Sequence, residues 1–285
     1  YIMDRISNRQ TTWHLINIKA RREQNTSHYV DVFRRLYDED PLISLPREKC
    51  ESLKSMTFSE SLDENHEPKW IKAILLSYTI IDPNAFYNKR SQEDVNMDDW
   101  DSDIVANKKE AELFFIPSVH TLVVRRNSAI TLDNIVLYLS EALNRIEPDM
   151  FDVDIIVERD ILDRILNAHA VYFVEANISF SNPGHTNGFI SAFDNKLRSM
   201  DPDKFTIVAK GSKDHPLINE DDGMLPAIVN MSERDGNIKA TIQPTEGSKL
   251  EKIDSKYHPR VLIIPQIIND VSSTIYNTIR TLFSD

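Results

Sequence analysis

Four carboxylates, Asp152, Asp154, Glu158 and Glu175, lie on or beside two apolar runs, "VDIIVER" (153–159), which Asp152 immediately precedes, and "AVYFVEANISFS", that read as neighbouring strands. Two acids and a lysine base converging at a strand pair make a metal-dependent nuclease site, with Mg²⁺ or Mn²⁺ held by the carboxylates. No lysine follows Glu175 at short spacing, so the set is incomplete in sequence. His120, in "AELFFIPSVHTLVV", shares a face with Leu122 and Val124 by strand alternation. A ring placed there is partly buried and needs a hydrogen-bond partner. It reads as a structural histidine, with catalytic or ligand-binding use as the alternative.

Other chemistry is poorly supported. Cys50 is the single cysteine, which excludes an internal disulfide and a cysteine-based zinc site. Its neighbours Glu48 and Glu51 would raise a thiol pKa and oppose activation. The eight histidines are scattered, and no two show the i, i+4 spacing of helical metal ligands. The segment 88–110 carries Asp98, Asp99, Asp101 and Asp103 around Trp100. It offers oxygens to a divalent cation but lacks the glycine and terminal glutamate of an EF-hand, and reads as a solvated loop. "SNPGHTNG", residues 181–188, joins a predicted strand to a predicted helix. It reads as a tight turn bent by Asn182, Pro183 and Gly184, or as an anion site at a helix N-terminus. GxGxxG, GxxxxGK[ST], GxSxG and HExxH are all missing. No metal site and no cofactor are expected; Mg²⁺ or Mn²⁺ enters only with the nuclease alternative.

Charge bounds the partners. The formal net charge is −12, and both halves of the chain are acidic, so neither is a general polyanion-binding domain. A local patch for DNA or RNA is open to Lys19, Arg21, Arg22, Arg34, Arg35, Lys108, Lys109, Arg125 and Arg126. The alternative is that these are solvated residues balancing nearby acids. His120 joins Lys19, Arg21, Arg22, Arg34, Arg35, Arg125 and Arg126 as the candidate binding set. Hydrophobic residues make up 41% and charged residues 27%, as in a folded protein, and only six glycines leave little room for phosphate loops. No apolar run approaches the roughly 20 residues of a membrane helix, and "YIMDRISNRQTTWH" lacks the apolar core of a signal peptide. The expected location is cytoplasmic.

The elements that position these groups follow from periodicity. "TTWHLINIKA" (11–20) reads as an internal strand, with His14, Ile16 and Ile18 on one face and Trp13 and Leu15 on the other. Residues 26–40 read as a helix through Tyr29, Val32, Phe33 and Leu36, capped by Thr26 or Ser27 and stopped by Pro41. Strands are expected at 53–62 and 70–81, and Pro117 marks a bulge, an edge or a break in the next apolar run. Residues 132–146 form a helix with Ile135, Leu139, Leu143 and Ile146 inward and Thr131 as cap. The second half alternates again. Strands are expected at 153–159, 170–181, 204–212 and 258–266, and helices at 160–168, capped by Asp160, at 189–200 and at 271–284. Residues 226–243 suggest a hairpin around Asp235-Gly236. The predicted fold class is α+β: residues 1–149, with the acidic loop 88–110, and residues 150–285 each form a domain. Each domain has a mixed or mainly antiparallel sheet and two or three helices.

Trp70, Tyr78, Ile81-Asp82-Pro83, Phe114-Phe115, Pro117 and His120, together with "YFVEANISFSNPG", carry a resemblance to DUF4747, a bacterial family of unknown function. The resemblance spans roughly residues 11–265, and its motifs are structural. It implies a bacterial or phage origin and a role in antiviral (antiphage) defence, without implying a reaction or an active site. The leading expectation is a non-enzymatic sensor or adaptor that binds nucleic acid or a nearby-encoded protein partner. A homo-oligomer or a subunit of a complex is expected, away from membranes. The alternative is a metal-dependent nuclease effector of such a system.

Overall fold

The computed structural model describes residues 10–283 except 23, 47–48, 98–100, 127–128, 180–195, 197–199, 201–203, 221–222 and 266–269. Asp98, Asp99 and Trp100 of the acidic segment, and nearly all of the expected 181–188 turn and 189–200 helix, lie outside the described residues.

The longest strand organises the first sheet. β1 (Gln10–Ala20) alternates apolar residues on both faces, as an internal strand must. One edge of β1 pairs with β8 (Thr121–Arg125). The other edge is shared: β14 (Val261–Pro265) takes Gln10–His14, and β9 (Phe151–Ile155) takes Ile16–Ala20. Beyond β8 the order continues through β7 (Ala106–Ile116), β4 (Ile71–Thr79), β3 (Lys49–Phe58) and β2 (Ile43–Leu45). β5 (Phe86–Asn88) and β6 (Glu93–Val95) form a small hairpin at the start of the expected acidic loop 88–110, whose last residues, from Ala106, belong to β7. Pro117 breaks the β7–β8 connection into a short 3₁₀ turn, because it cannot donate to a ladder.

Helices cover both faces of this sheet. α1 (Thr26–Glu39) and α2 (Leu132–Ile146) pack Tyr29, Phe33, Leu36, Ile135, Leu139 and Leu143 against Ile16, Ile18, Leu75, Phe115 and Leu122. α5 (Val271–Phe283) seals the opposite face, placing Ile275, Ile279 and Phe283 on Trp13, Leu15, Phe114 and Val123.

The second sheet has the order β11 (Phe205–Lys210), β10 (Ala170–Ile178), β12 (Gly236–Gln243) and β13 (Glu251–Asp254). α3 (Arg159–Leu166) and α4 (Met224–Met231) cover one face through Leu162, Ile165, Ile228 and Val229. The protein is α+β, and every strand pairing between named strands is antiparallel. The sheets are not two consecutive halves of the chain, since β9 and β14 both follow residue 150 and both pair with β1.

The expected hairpin over 226–243 is corrected: Met224–Met231 is helical and only Gly236–Gln243 is a strand. Every residue of "LPAIV" is buried, so the run has no polar side from which to read a period. Asp160 does not cap α3; Glu158 holds that position, without a side-chain cap bond.

Candidate functional site

Along one face of β1, Trp13 and Leu15 are followed by Asn17 and Lys19, and all four are buried. The apolar pair meets α5, whereas the polar pair meets the loop leading into β12. Lys19 Nζ lies 2.8 Å from Asp235 Oδ1 and 3.7 Å from Asp154 Oδ2. Asn17 Nδ2 donates to the Arg234 carbonyl at 3.1 Å and to Asp235 Oδ1 at 3.3 Å. The Arg234 guanidinium donates to the Val119 carbonyl at 3.0 Å and to Asn17 Oδ1 at 3.3 Å, and it rests 4.3 Å from the Phe283 ring centroid. Ser179 Oγ lies 2.8 Å from Asp154 Oδ2 and 3.0 Å from the Asp235 carbonyl oxygen. Arg21 pairs with Asp152 at 3.3 Å. One continuous polar network therefore joins β1 and β9 of the first sheet to β10 and β12 of the second.

Strand register explains the convergence. Asn17 faces Asp154 and Lys19 faces Asp152 across β1 and β9, so two acids and two polar partners share one face. Gly236 makes the close approach possible: its φ is +156°, and a Cβ there would stand 2.0 Å from the Asn177 carbonyl oxygen. Burial pushes the Asp235 carboxyl above its ordinary pKa, against the opposing pull of Lys19. Burial likewise raises Asp152, opposed by Lys19 and Arg21.

Asp154 also faces a cleft of about 410 Å³ between the two sheets. Val136 and Leu137 of α2, with Val153, Ile155 and Val157, form an apolar wall; Ser140, Asn237, Lys204 and Lys256 supply polar groups. Lys256 stands 4.0 Å from Asp133. A concave site with an apolar wall and a few convergent polar groups suits a small polar ligand or the tip of a partner.

Of the four acids that sequence spacing singles out, two come together here and two do not. Glu158 accepts from the Val261 amide, and Glu175 pairs with Lys239 at 3.3 Å on the second sheet. The lysine missing after Glu175 is supplied from β1 as Lys19, but with a side chain only 2% exposed. Among the described residues, no group of three His, Cys, Asp or Glu side chains is placed to hold a metal ion.

Most of the candidate basic residues are matched by acids. Lys19 is inside the network. Arg34 pairs with Asp31 at 3.0 Å, and Arg35 with Glu39 and Glu147 at 3.1 and 3.2 Å. Arg125 pairs with Glu112 at 3.3 Å, and Lys108 with Glu110 at 3.0 Å. Arg22, Lys109 and Arg126 are exposed. Arg125 lies opposite Trp13, six residues along β1 from Lys19, which is roughly 20 Å at strand rise. His120 ends the 3₁₀ turn in a left-handed conformation, φ 55°, and stacks on Tyr29 with ring centroids 4.3 Å apart. Its carbonyl accepts from the Ile18 amide at 2.8 Å. Cys50 is buried on β3 opposite Tyr78.

A model of the family described as a domain of unknown function, DUF4747, matches residues 9–281. The chain belongs to this family. No curated protein matches it. The match spans both sheets of this DUF4747 chain and every residue of the network, so the junction lies inside the family's domain. No helix among its described residues is long and apolar enough to cross a membrane.

Asp235, Asn17, Ser179 and Arg234 escape the sequence reading. Asn17 and Lys19 leave one trace: they continue the Trp13-Leu15 face of a strand that is apolar on both sides. Asp235, followed by glycine, imitates a turn.

Proposed function

We propose that this protein is a non-enzymatic sensor or adaptor that binds nucleic acid or a partner protein. Its antiviral setting is the one implied by the DUF4747 resemblance. The carrying observation is that Asp152 and Asp154 are already matched by Arg21, Lys19 and Ser179. Carboxylates held by internal cations are counterions of the fold first, and binding a metal would require breaking those pairs. The same network ties the floor of the cleft to both sheets, so a ligand seated there bears on two elements at once. This is a useful property in a protein that reports occupancy.

The test is incubation of the full chain with labelled DNA and RNA, with and without Mn²⁺, read on native and denaturing gels, beside affinity purification from cells. Binding or stable co-purification without cleavage supports the reading. Metal-dependent cleavage that disappears in Asp154→Asn replaces it with the nuclease reading.

A further inference from the structure

The face of the second sheet opposite α3 and α4 has its own chemistry. Val174, Ala176, Ile178, Ile238, Ala240 and Ile242 point toward the helices, so Phe173, Glu175, Lys239 and Thr241 point away. The register aligns a row across four strands: Lys210, Phe173, Thr241 and Lys252. The neighbouring row reads Val208, Glu175, Lys239 and Asp254. A bulge between Val171 and Phe173 leaves Tyr172 unpaired in the ladder, and its hydroxyl reaches Gln243 at 3.1 Å on the same outward side. Two half-buried aromatic residues thus stand together at one end of the sheet. The face is open in the middle, where Val208 is 51% exposed.

The two rows lean positive in an otherwise acidic chain: Lys210, Lys239 and Lys252 stand against Glu175, which pairs with Lys239, and Asp254, whose Oδ1 accepts from the Lys256 amide at 3.1 Å. Lys210 and Lys252 are exposed and carry no ion pair among the described residues. Strands lie about 4.8 Å apart, so these lysines flank Phe173 at about 5 Å on one side and about 10 Å on the other. An aromatic surface flanked by unmatched cations receives a base on its ring and phosphates on its lysines.

Building on the binding reading above, we propose that this open face binds single-stranded nucleic acid, with Phe173 and Tyr172 as the stacking surface and Lys210 and Lys252 as phosphate contacts. A duplex hides its base faces and would meet the lysines alone, so the single strand is the favoured form. The contacts read no base edges, and recognition is sequence-tolerant.

The experiment is fluorescence polarisation of the full chain with labelled oligo-dT and oligo-U, and with a duplex of equal length, at low and physiological salt. Single strands should bind more tightly than duplex, with affinity falling as salt rises. Phe173→Ala should weaken binding by about tenfold or more, while Phe173→Tyr, which keeps a ring, should retain it. Lys210→Glu with Lys252→Glu should weaken binding and flatten the salt dependence. These exposed charge changes leave the folded state intact by circular dichroism. Binding that ignores these variants, or that favours duplex, overturns this site and leaves nucleic-acid binding standing. No binding to any oligonucleotide also overturns it; a partner protein then lost with the same variants would keep the adaptor reading and assign the face to protein.

Discussion

Lys19 Nζ and Asp235 Oδ1 lie 2.8 Å apart although 216 positions separate them in the chain. The pair is enclosed and also serves Asp154, so it is one point at which the two sheets are electrostatically joined. Lys19→Met leaves the buried Asp235 and the half-buried Asp154 without their cation, and stranding a buried charge costs about 3–5 kcal/mol. The urea midpoint should fall accordingly. Lys19→Met combined with Asp235→Leu should recover part of the loss, because the double variant removes one stranded charge. A single variant as stable as the wild type would show that the pair does not hold the junction.

A second buried carboxyl should make stability depend on pH. Glu51 is fully enclosed on β3, facing Ser77 across the strand pair. Burial raises its pKa from 4.5 to about 7, outweighing the Ser77 hydroxyl and the Lys49 charge. The group imposes no penalty below the unfolded pKa, where it is protonated in both states. Stability is lost as pH rises from 4.5 to about 7 and stays lower above that. At 1.36 kcal/mol per unit the loss is about 3 kcal/mol. Denaturation across this window should show the decline in the wild type. Glu51→Gln should flatten its own share and be the more stable protein at alkaline pH.

His120 should prove structural. Its left-handed backbone and its stack on Tyr29 put the ring to use inside the fold. His120→Ala gives up the stack and keeps the disfavoured conformation, for a loss of about 1–3 kcal/mol. Thermal denaturation should register it, while oligonucleotide affinity at the second sheet stays unchanged. A loss of affinity in a variant that melts normally would return the histidine to the binding site.

Gly236→Ala should be among the costliest single-atom additions in the chain. The new carbon would overlap the Asn177 carbonyl at 2.0 Å, so β10 and β12 must separate. Asp235 immediately precedes it and would shift with it. Hydrogen exchange should show faster opening at the Ser179 amide, which donates to the Asp235 carbonyl at 2.7 Å.

Local pattern carried the helices. Ile135, Leu139, Leu143 and Ile146 are all buried on α2, and Thr131 Oγ1 accepts from Asn134 as expected of a cap. α1 is nearly as clear, though its cap is Asn25, one residue before the candidates. α4 was not legible, because a fully buried apolar run has no period and an Asp-Gly after it resembles a hairpin turn. The network was legible only by halves. Parity on β1 places Asn17 and Lys19 beside Trp13 and Leu15, but nothing local announces that Asp235 and Ser179 come to meet them. The partners of the basic residues are hidden for the opposite reason: their sequence clustering says nothing about the acids that α1, β7 and the end of α2 bring to Arg34, Arg35 and Arg125.

The split edge of β1 also dictates an order of assembly. Thr11 pairs with Ile264, and Ile18 with Val153, so β1 receives its last neighbour only after some 250 further residues have been synthesised. Until β14 arrives, half of that edge exposes unpaired backbone groups, the kind of ledge along which chains stick to one another. High contact order of this sort slows folding. A fragment ending at residue 149 would present the whole edge, from Gln10 to Ala20, to solvent. Such a fragment should therefore aggregate when expressed alone and gain solubility when residues 150–283 are supplied in the same cell.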